Sequence, residues 1–408
     1  MSSTTLQQPP TIHSEVLSNQ SHLRTRLTNA LTAPPPNTHP STLPTIPLID
    51  LQPCFTPSLS ARKSVAHAIR AACTTSGFFQ ISNHGIPETA ITAILTQARR
   101  FFHDLTPAQK DALNIRHSLL FRGYEAAGDS YVNPDDKAGS TTDSENETES
   151  KEGFNWGYET SLDPEASQLL GESESSSSYV ELDGRPPSAP DRCNVWPDEK
   201  VLPGFKAGVA EYYGHVLALA RHLFRLFALS LDLEETYFDA LTTHPGGIGR
   251  LLYYPPQTAA QLADKASKLG LGAHTDYECF TLLLSTSHPG LEILFPPSEA
   301  TDNKPIWRPC PVRPGTITVN VADFLMRWTN GLYKSTIHRV VSRPVVDVDP
   351  TTGQERLSGS EARYSVPFFF SINYDADVEP LPVEAVGESR FANMKAGEYV
   401  LERLKATV

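Results

Sequence analysis

The second half of the chain is a series of short β-type segments, and this feature limits the fold more than any other. Beginning after Gly249, runs rich in β-branched and aromatic residues alternate with turns that contain proline and glycine. The runs cover residues 250–254, 272–284, 291–295, 316–321, 335–342 and 363–372. Strands of this length and spacing are typical of an antiparallel sandwich or barrel, so we expect this half to form a β domain.

The first half of the chain predicts a small α/β region followed by one long helix. Apolar runs at residues 46–51 and 77–82 have the character of strands, and helical spacing follows them over residues 61–73 and 88–102. From residue 203 to residue 231, apolar side chains recur at the period of a single amphipathic helix. We therefore expect a mainly β protein with flanking helices and a helix-rich amino-terminal region.

The formal net charge of −13 is concentrated in one segment. Residues 129–200 contain 18 acidic and 5 basic side chains, while the rest of the chain carries 29 of each kind. Two low-complexity acidic tracts, at residues 140–150 and 172–178, predict mobile loops because they hold too few apolar residues to form a core. The aromatic segment at residues 153–158 is expected to pack onto the rest of the protein. Since the chain has no basic block, we expect no binding to nucleic acid or to a membrane.

The cysteines and the apolar segments indicate the compartment. Five cysteines lie far apart without paired spacing, which favours a reducing compartment over a disulfide framework. The first 44 residues are rich in proline, serine and threonine and lack the apolar segment of a signal peptide, so they predict a disordered extension. No segment reaches the roughly 18 to 20 consecutive apolar residues of a membrane span. We expect a cytoplasmic monomer.

A candidate metal site is indicated by His274-Thr-Asp276, in which an imidazole and a carboxylate are two residues apart. This spacing puts both side chains on one face of a strand. The pair alone is weak evidence, since such pairs occur by chance in chains of this composition. His338, in a later run, supplies a third ligand, and two imidazoles with one carboxylate leave three positions of an octahedral metal open. We expect four other histidines to be structural: His84, His215, His222 and His244.

Several motifs follow one characteristic order along the chain. From the amino terminus they are residues 46–51, residues 77–87, His274-Thr-Asp276, residues 323–331, residues 333–340 and Arg363-Tyr-Ser365. In composition and order they resemble the isopenicillin N synthase-like family of 2-oxoglutarate and iron(II)-dependent dioxygenases, over roughly residues 45–128 and 200–408. The resemblance implies a double-stranded β-helix, or jelly roll, in which His274, Asp276 and His338 hold a non-haem iron.

The resemblance also implies an anchor for the far carboxylate of 2-oxoglutarate, made by the guanidinium and hydroxyl of an Arg-x-Ser motif on a late strand. The chain has four such motifs, which begin at Arg62, Arg116, Arg356 and Arg363. The first two precede the metal motif. Arg356 lies closer to the family's usual spacing, but polar residues around it predict a loop, whereas an aromatic run follows Arg363. We therefore predict that Arg363 and Ser365 bind the cosubstrate.

A second cosubstrate contact is implied by the strand Leu252-Tyr-Tyr254-Pro, where many relatives have Asn-Tyr-Tyr-Pro. The hydroxyl of Tyr254 can still donate to 2-oxoglutarate, whereas Leu252 lacks the amide. The alternative is that Tyr254 is only an aromatic residue of the barrel wall. Other aromatic residues are expected to line the substrate pocket: Phe121, Tyr124, Phe154, Phe280 and Phe370.

The implied activity is that of an oxidoreductase that uses iron(II), 2-oxoglutarate and dioxygen, with ascorbate as a candidate reductant. It would hydroxylate, desaturate or cyclise a small molecule, such as a specialised metabolite, and release succinate and carbon dioxide. Two alternatives stay open. One is an oxidase of the same family that consumes dioxygen without 2-oxoglutarate, and the other is a non-catalytic relative kept as a binding module.

The motifs and the composition together divide the chain into four parts. These are an extension over residues 1–44, an amino-terminal dioxygenase region over 45–245, an iron-binding jelly-roll core over 246–375 and a helical tail over 376–408, with a helix predicted at 388–404. The acidic insertion at about 129–200 falls just before the barrel. We hypothesise that its loops form a mobile lid edge at the site entrance, with a solvated spacer as the alternative.

Overall fold

A computed structural model of the chain describes residues 45–129, 149–170, 179–187, 192–263, 269–296, 304–348, 355–378, 381, 384–387, 391 and 393–405. The predicted extension at residues 1–44 and the acidic tract at 172–178 lie outside the described residues. The tract at 140–150 also lies outside them, except for its last two residues. Among the helices of the described part, none combines the length and the apolar character needed to cross a bilayer.

The described residues form eight α-helices and sixteen strands. The helices are α1 (Leu59–Thr75), α2 (Glu88–Asp104), α3 (Pro107–Asp111), α4 (Ala166–Leu170), α5 (Phe205–Ser230), α6 (Ala259–Ala263), α7 (Asp323–Trp328) and α8 (Ala396–Lys405). The first eight strands are β1 (Leu48–Asp50), β2 (Phe78–Ser82), β3 (Gly123–Glu125), β4 (Glu152–Gly157), β5 (Gly247–Tyr254), β6 (Leu269–His274), β7 (Phe280–Ser285) and β8 (Leu291–Phe295). The other eight are β9 (Ile306–Pro309), β10 (Ile317–Val321), β11 (His338–Val341), β12 (Val346–Val348), β13 (Glu355–Leu357), β14 (Arg363–Phe370), β15 (Asp377–Val378) and β16 (Met394–Lys395).

Two sheets form the body of the protein and confirm the predicted jelly roll. The large sheet has the order β1-β2-β10-β7-β14-β5-β4-β3, and the small sheet has the order β6-β11-β8-β9. Their strands pair antiparallel, apart from β1 with β2. The inner faces meet through Leu252 and Tyr254 of the large sheet and Leu271 and Val340 of the small one. The predicted site residue Tyr254 therefore lies between the two sheets.

The outer face of the large sheet packs against the helices. The rings of Phe280 and Phe370 each lie 5.7 Å from that of Phe224 on α5, and α1 and α2 pack beside α5. Full burial of one such ring stabilises the fold by roughly 1.5–3 kcal/mol. The prediction that Phe280 and Phe370 line the substrate pocket is therefore wrong. Successive side chains of a strand point to opposite faces, and these two point to the helices.

Three segments differ from their sequence predictions. The run at residues 272–284 is two strands, β6 and β7, because a loop that carries Asp276 separates them. The aromatic segment at 153–158 packs onto the body, as expected, but does so as strand β4 of the large sheet. The terminal helix begins only at Ala396, after the short strand β16. These differences depend on the strand partners of each segment, which local sequence does not specify.

Candidate active site

Strand pairing brings two of the predicted metal ligands together. His274 ends β6 and His338 begins β11, and the two residues are direct partners in the antiparallel ladder. Directly opposed side chains on one face are close neighbours, and the two imidazole rings lie 4.3 Å apart between centroids. Two residues that are far apart in sequence are thus paired neighbours in the small sheet.

Asp276 joins the pair from the loop that follows β6. Its Oδ1 lies 3.5 Å from Nε2 of His274 and 3.5 Å from Nε2 of His338. All three side chains are buried, and one candidate ligand atom from each lies within 4.8 Å of the others. The expectation that His274 and Asp276 share one face of a strand is wrong, because β6 ends at His274 and the chain turns there.

The second nitrogen of each imidazole is already engaged. Nδ1 of His274 lies 2.8 Å from the carbonyl oxygen of Gly272, and Nδ1 of His338 lies 3.1 Å from that of Thr336. A carbonyl oxygen only accepts, so each Nδ1 carries the proton and donates it. Each Nε2 therefore faces Asp276, where it holds either a proton shared with that carboxylate or, once deprotonated, a metal. A metal-binding histidine requires this arrangement, in which the other nitrogen donates to a fixed partner.

The carboxylate of Asp276 is oriented by two donors that the sequence reasoning missed. Its Oδ2 accepts hydrogen bonds from Thr281 Oγ1 at 2.5 Å and from Asn320 Nδ2 at 2.8 Å, so Oδ1 faces the imidazoles. Burial alone would raise the pKa of Asp276, but the two imidazoles, His338 foremost, outweigh it and hold the pKa well below its usual range. A carboxylate and two Nε2 atoms with fixed second partners fit a divalent metal such as iron(II).

Asp323 holds the loop that contains Asp276. Its backbone N–H donates to the carbonyl of Asp276 at 2.9 Å, and its carboxylate accepts from Thr275 Oγ1 at 3.0 Å and from Ser335 Oγ at 2.6 Å. Thr275 lies between the first two predicted ligands, and Ser335 lies three residues before the third. One buried carboxylate therefore connects the two chain segments that carry the metal-binding side chains.

The predicted cosubstrate anchor lies deep between the sheets. Arg363 and Ser365 of β14 are opposite Tyr254 and Leu252 of β5, and all four side chains are buried. Nη1 of Arg363 lies 3.3 Å from Ser365 Oγ, and the guanidinium carbon lies 5.0 Å from the centre of the Tyr254 ring. Three predicted cosubstrate residues are therefore neighbours, although their contacts with 2-oxoglutarate stay a prediction.

The environment of Arg363 fits an anionic ligand. Among the described residues, no carboxylate forms an ion pair with Arg363, and its Nε has no hydrogen-bond partner. Burial lowers the pKa of Arg363, because it disfavours the charged form. A buried, unpaired guanidinium is costly unless a ligand supplies the missing charge and acceptors. The far carboxylate of 2-oxoglutarate would supply both.

The alternative pair, Arg356 and Ser358, lies elsewhere. Arg356 belongs to the two-stranded hairpin of β12 and β13, and the hydroxyl of Ser358 donates to the carbonyl of Val345 at 3.2 Å. This hairpin is separate from the large sheet that carries Arg363. The segment around Arg356, for which a loop was predicted, therefore contains strand β13, and its placement favours Arg363 as the cosubstrate residue.

A cavity of about 110 Å³ opens beside His274 and Asp276. Phe121 lines it, as predicted, but Phe154 points to the outer core, where its ring lies 4.6 Å from that of Phe101. Tyr124 also points outward and donates its hydroxyl to Glu152 at 2.7 Å. The same cavity is also lined by three polar residues that the sequence analysis did not identify: Glu125, Asn155 and Arg250. The sequence could have indicated Arg250, because it lies two and four residues before Leu252 and Tyr254 and its side chain therefore faces the same side of the strand.

A buried ionic cluster adjoins this cavity. Arg250 Nη2 lies 2.7 Å from Glu125, and Lys151 Nζ lies 2.5 Å from Glu125 and 3.2 Å from Glu149. Burial alone would lower the pKa of Lys151, but Glu125 and then Glu149 raise it, so Lys151 stays charged. Glu149 also accepts the backbone N–H of Gly272 at 3.0 Å, two residues before His274. The end of the acidic tract at 140–150 is thus buried against the barrel, contrary to the predicted mobile loop.

Two family models match the chain. The model described as "non-haem dioxygenase in morphine synthesis N-terminal" matches residues 46–177. The model described as "2OG-Fe(II) oxygenase superfamily" matches residues 246–372, which include all six predicted site residues. Residues 178–245, which include the long helix α5, lie between the two matches.

Curated relatives and solved structures resemble the chain over most of its length. A "2-oxoglutarate-Fe(II) type oxidoreductase ppzC" from Metarhizium majus is 31% identical, over 88% of this chain and 86% of its own. A "clavatol oxidase claD" from Penicillium crustosum is 32% identical, over 89% and 96%. The crystal structure of a full-length Neurospora crassa protein in complex with alpha-KG and thymine has a TM-score of 0.68 at 25% identity, over 88% of this chain and 96% of that one.

Proposed function

Because the chain belongs to the isopenicillin N synthase-like family of 2-oxoglutarate and iron(II)-dependent oxygenases, we propose that His274, Asp276 and His338 hold its iron. One observation carries this proposal. Both Nε2 atoms lie 3.5 Å from Asp276 Oδ1, while both Nδ1 atoms donate to backbone carbonyls. Two imidazoles and one carboxylate on one face are the ligand set of non-haem iron(II) oxygenases, which leaves positions open for cosubstrate and dioxygen.

The enzyme is a 2-oxoglutarate-dependent oxidoreductase. When bound, iron(II) and 2-oxoglutarate supply the oxidant from dioxygen, and 2-oxoglutarate leaves as succinate and carbon dioxide. The name of the ppzC relative specifies 2-oxoglutarate, which favours this activity over an oxidase that does without it. The intact triad supports catalysis over a role as a non-catalytic binding module.

Arg363, Ser365 and Tyr254 are the cosubstrate residues of this proposal. The guanidinium of Arg363 pairs with the far carboxylate, and the hydroxyls of Ser365 and Tyr254 add donors. Support comes from the burial of all three side chains and from the unpaired Nε of Arg363. Apolar Leu252, where relatives have an amide, packs with Val340 and excludes water beside the cosubstrate.

The proposed substrate is a small molecule, such as a specialised metabolite, that reaches the cavity beside His274. One relative is named for the oxidation of clavatol, and the similar solved structure contains thymine, which are both small molecules. We also propose that the protein is a cytoplasmic monomer that binds neither nucleic acid nor membrane. The lack of a basic block supports the last two points. Light scattering tests whether the protein is a monomer, and fractionation of the source cells tests its compartment.

Anaerobic iron titration tests the metal site directly. Purified protein and the Asp276→Ala, His274→Ala and His338→Ala variants are dialysed against iron(II), and bound iron is measured. We expect stoichiometric binding by the parent and severe loss in each variant, while His117→Ala, at an exposed histidine, binds like the parent. Equal binding by Asp276→Ala and the parent would contradict the proposal.

Succinate and labelled carbon dioxide from 2-oxoglutarate test the reaction. We expect decarboxylation that requires iron(II) and dioxygen, that increases when a substrate is present and that disappears in the three ligand variants. Folding of each variant is checked by circular dichroism, so that lost activity is separated from lost structure. Substrate oxidation without decarboxylation would instead identify the oxidase alternative.

A further inference from the structure

Three buried polar atoms in the cavity beside His274 have no hydrogen-bond partner. They are Oδ1 of Asn155, Nε of Arg250 and Oε2 of Glu278, and all three residues line that cavity. Asn155 is 5% exposed and Glu278 is 3% exposed. A buried polar group without a partner destabilises a protein by about 1–3 kcal/mol. A ligand that satisfies these atoms would offset that destabilisation.

Asn155 and Arg250 present one acceptor and one donor side by side. They are direct partners in the ladder of β4 and β5, so their side chains leave the sheet on the same face as neighbours. One other nitrogen of each residue is already engaged. Nδ2 of Asn155 donates to the carbonyl of Phe121 at 3.1 Å, and Nη2 of Arg250 donates to Glu125 at 2.7 Å. The two buried atoms without a partner are thus an N–H donor and, next to it, an oxygen acceptor.

The charge around this pair favours a neutral ligand. Arg250 and Lys151 carry two positive charges, and their ion-pair partners Glu125 and Glu149 carry two negative ones. The cluster is balanced, so a carboxylate placed against Arg250 would bring a buried charge without a new counterion.

Half of the residues that line the cavity are apolar. Its lining includes Phe121, Ile248, Leu252, Leu271, Phe369 and Val400. Its volume of about 110 Å³ is below the roughly 300–1,000 Å³ of pockets that enclose drug-sized ligands. A compact apolar body with one polar group fits these walls.

We propose that Arg250 and Asn155 form a recognition subsite for a compact, neutral substrate whose polar group accepts one hydrogen bond and donates another, as a hydroxyl or an amide does. The substrate group accepts from Nε of Arg250 and donates to Oδ1 of Asn155, and its apolar body lies against the apolar side chains of the cavity. This inference rests on the proposed function, since it takes the cavity beside the triad as the substrate pocket. It makes these residues determinants of specificity and assigns them no part in the chemical step.

Benzamide, benzyl alcohol and benzoate are suitable probes, because they share a ring and differ in the polar group. Each is titrated calorimetrically into the full chain loaded anaerobically with iron(II) and saturated with 2-oxoglutarate, so that Arg363 and the metal are already occupied. We expect at least one neutral probe to bind about tenfold tighter than benzoate, and the tighter neutral probe identifies the amide or the hydroxyl class. Equal or tighter binding of benzoate, or no saturable binding of either neutral probe, overturns the proposal.

The variant Asn155→Leu keeps the size of the side chain and removes its acceptor. We expect binding of the preferred neutral probe to weaken about threefold to tenfold, the loss of one hydrogen bond, with iron binding unchanged. Gln168→Leu, the same kind of change at an exposed position, is the control and should bind like the parent. Unchanged probe binding in Asn155→Leu overturns the proposal.

The outcomes separate this inference from the proposed function. If iron binds through the triad but the probes show no discrimination, only the subsite fails. If His274→Ala retains iron while the neutral probes still bind better than benzoate, the metal assignment fails and the subsite stands.

Discussion

The guanidinium of Arg403 lies 2.6 Å from the carboxylate of Asp323, and this ion pair joins the last helix to the metal-binding loop. Both side chains are buried, and Asp323 in turn contacts Asp276, Thr275 and Ser335. The guanidinium also lies over the ring of Tyr277, at 4.4 Å from its centre. Helix α8 is therefore part of the support of the active site, and Val400 on the same helix lines the cavity.

Replacing Arg403 should weaken iron binding. The variant Arg403→Leu leaves Asp323 without its cation, so the loop that carries Asp276 loses its fixed position. Loss of such an outer contact typically lowers metal affinity about 10- to 100-fold, measured by anaerobic iron titration. Lys405→Ala, which removes an exposed pair with Glu402 on the same helix, should leave the affinity unchanged. Equal affinities in both variants would show that α8 does not position the loop.

Replacing Arg363 should weaken the binding of 2-oxoglutarate and leave iron binding intact. In Arg363→Ala the far carboxylate loses its buried cation, which typically costs about 2–5 kcal/mol. We therefore expect the dissociation constant to rise at least about 30-fold, measured by calorimetry on the anaerobic iron(II) protein. Arg356→Ala, the competing Arg-x-Ser motif, is the control and should bind 2-oxoglutarate normally. The reverse result would identify Arg356 as the anchor.

The acidic insertion should contribute to stability through the buried ion pair of Arg122 and Glu181. Arg122 Nη2 lies 2.5 Å from Glu181, and their side chains are 4% and 2% exposed. Arg122→Ala leaves the Glu181 charge buried without a partner, so we expect the free energy of unfolding to fall by about 3–5 kcal/mol. Arg116→Ala breaks an exposed pair with Asp111 and should change it by less than about 1 kcal/mol. Urea denaturation measures both, and similar values would rule out this role of the insertion.

Glu149, near the end of the tract at residues 140–150, should stabilise the protein through its contacts with the barrel. Glu149 accepts the backbone N–H of Gly272 and pairs with Lys151. Glu149→Ala should therefore lower the free energy of unfolding by about 1–3 kcal/mol, as expected for an unsatisfied buried donor. Glu211→Ala, at an exposed glutamate of α5, is the control in the same denaturation experiment and should leave the free energy of unfolding nearly unchanged. If the two variants unfold alike, Glu149 does not anchor the tract to the barrel.

The sequence by itself determined the class of fold and the residue types of the site. Short alternating runs predict strands wherever they occur, because alternation of side chains is a property of each strand alone. The strand at residues 291–295 was predicted to the residue, and the family motifs indicated His274, Asp276 and His338 before any geometry was known. These features are local, or lie in a fixed order along the chain, and so can be recognised without partners.

Only the tertiary structure decided which side chains meet. The ladder of β6 and β11 places His274 opposite His338, and the ladder of β4 and β5 places Asn155 beside Arg250. Strand pairing also directs Phe280 and Phe370 toward the helices. Glu149, from a tract that was predicted to be mobile, is buried against the barrel. Register between strands depends on the partners that the whole chain supplies, and a shift of one residue reverses the face of every side chain. For that physical reason the order of residues indicated the motifs and one pocket residue, Phe121, but not which side chains surround the pocket.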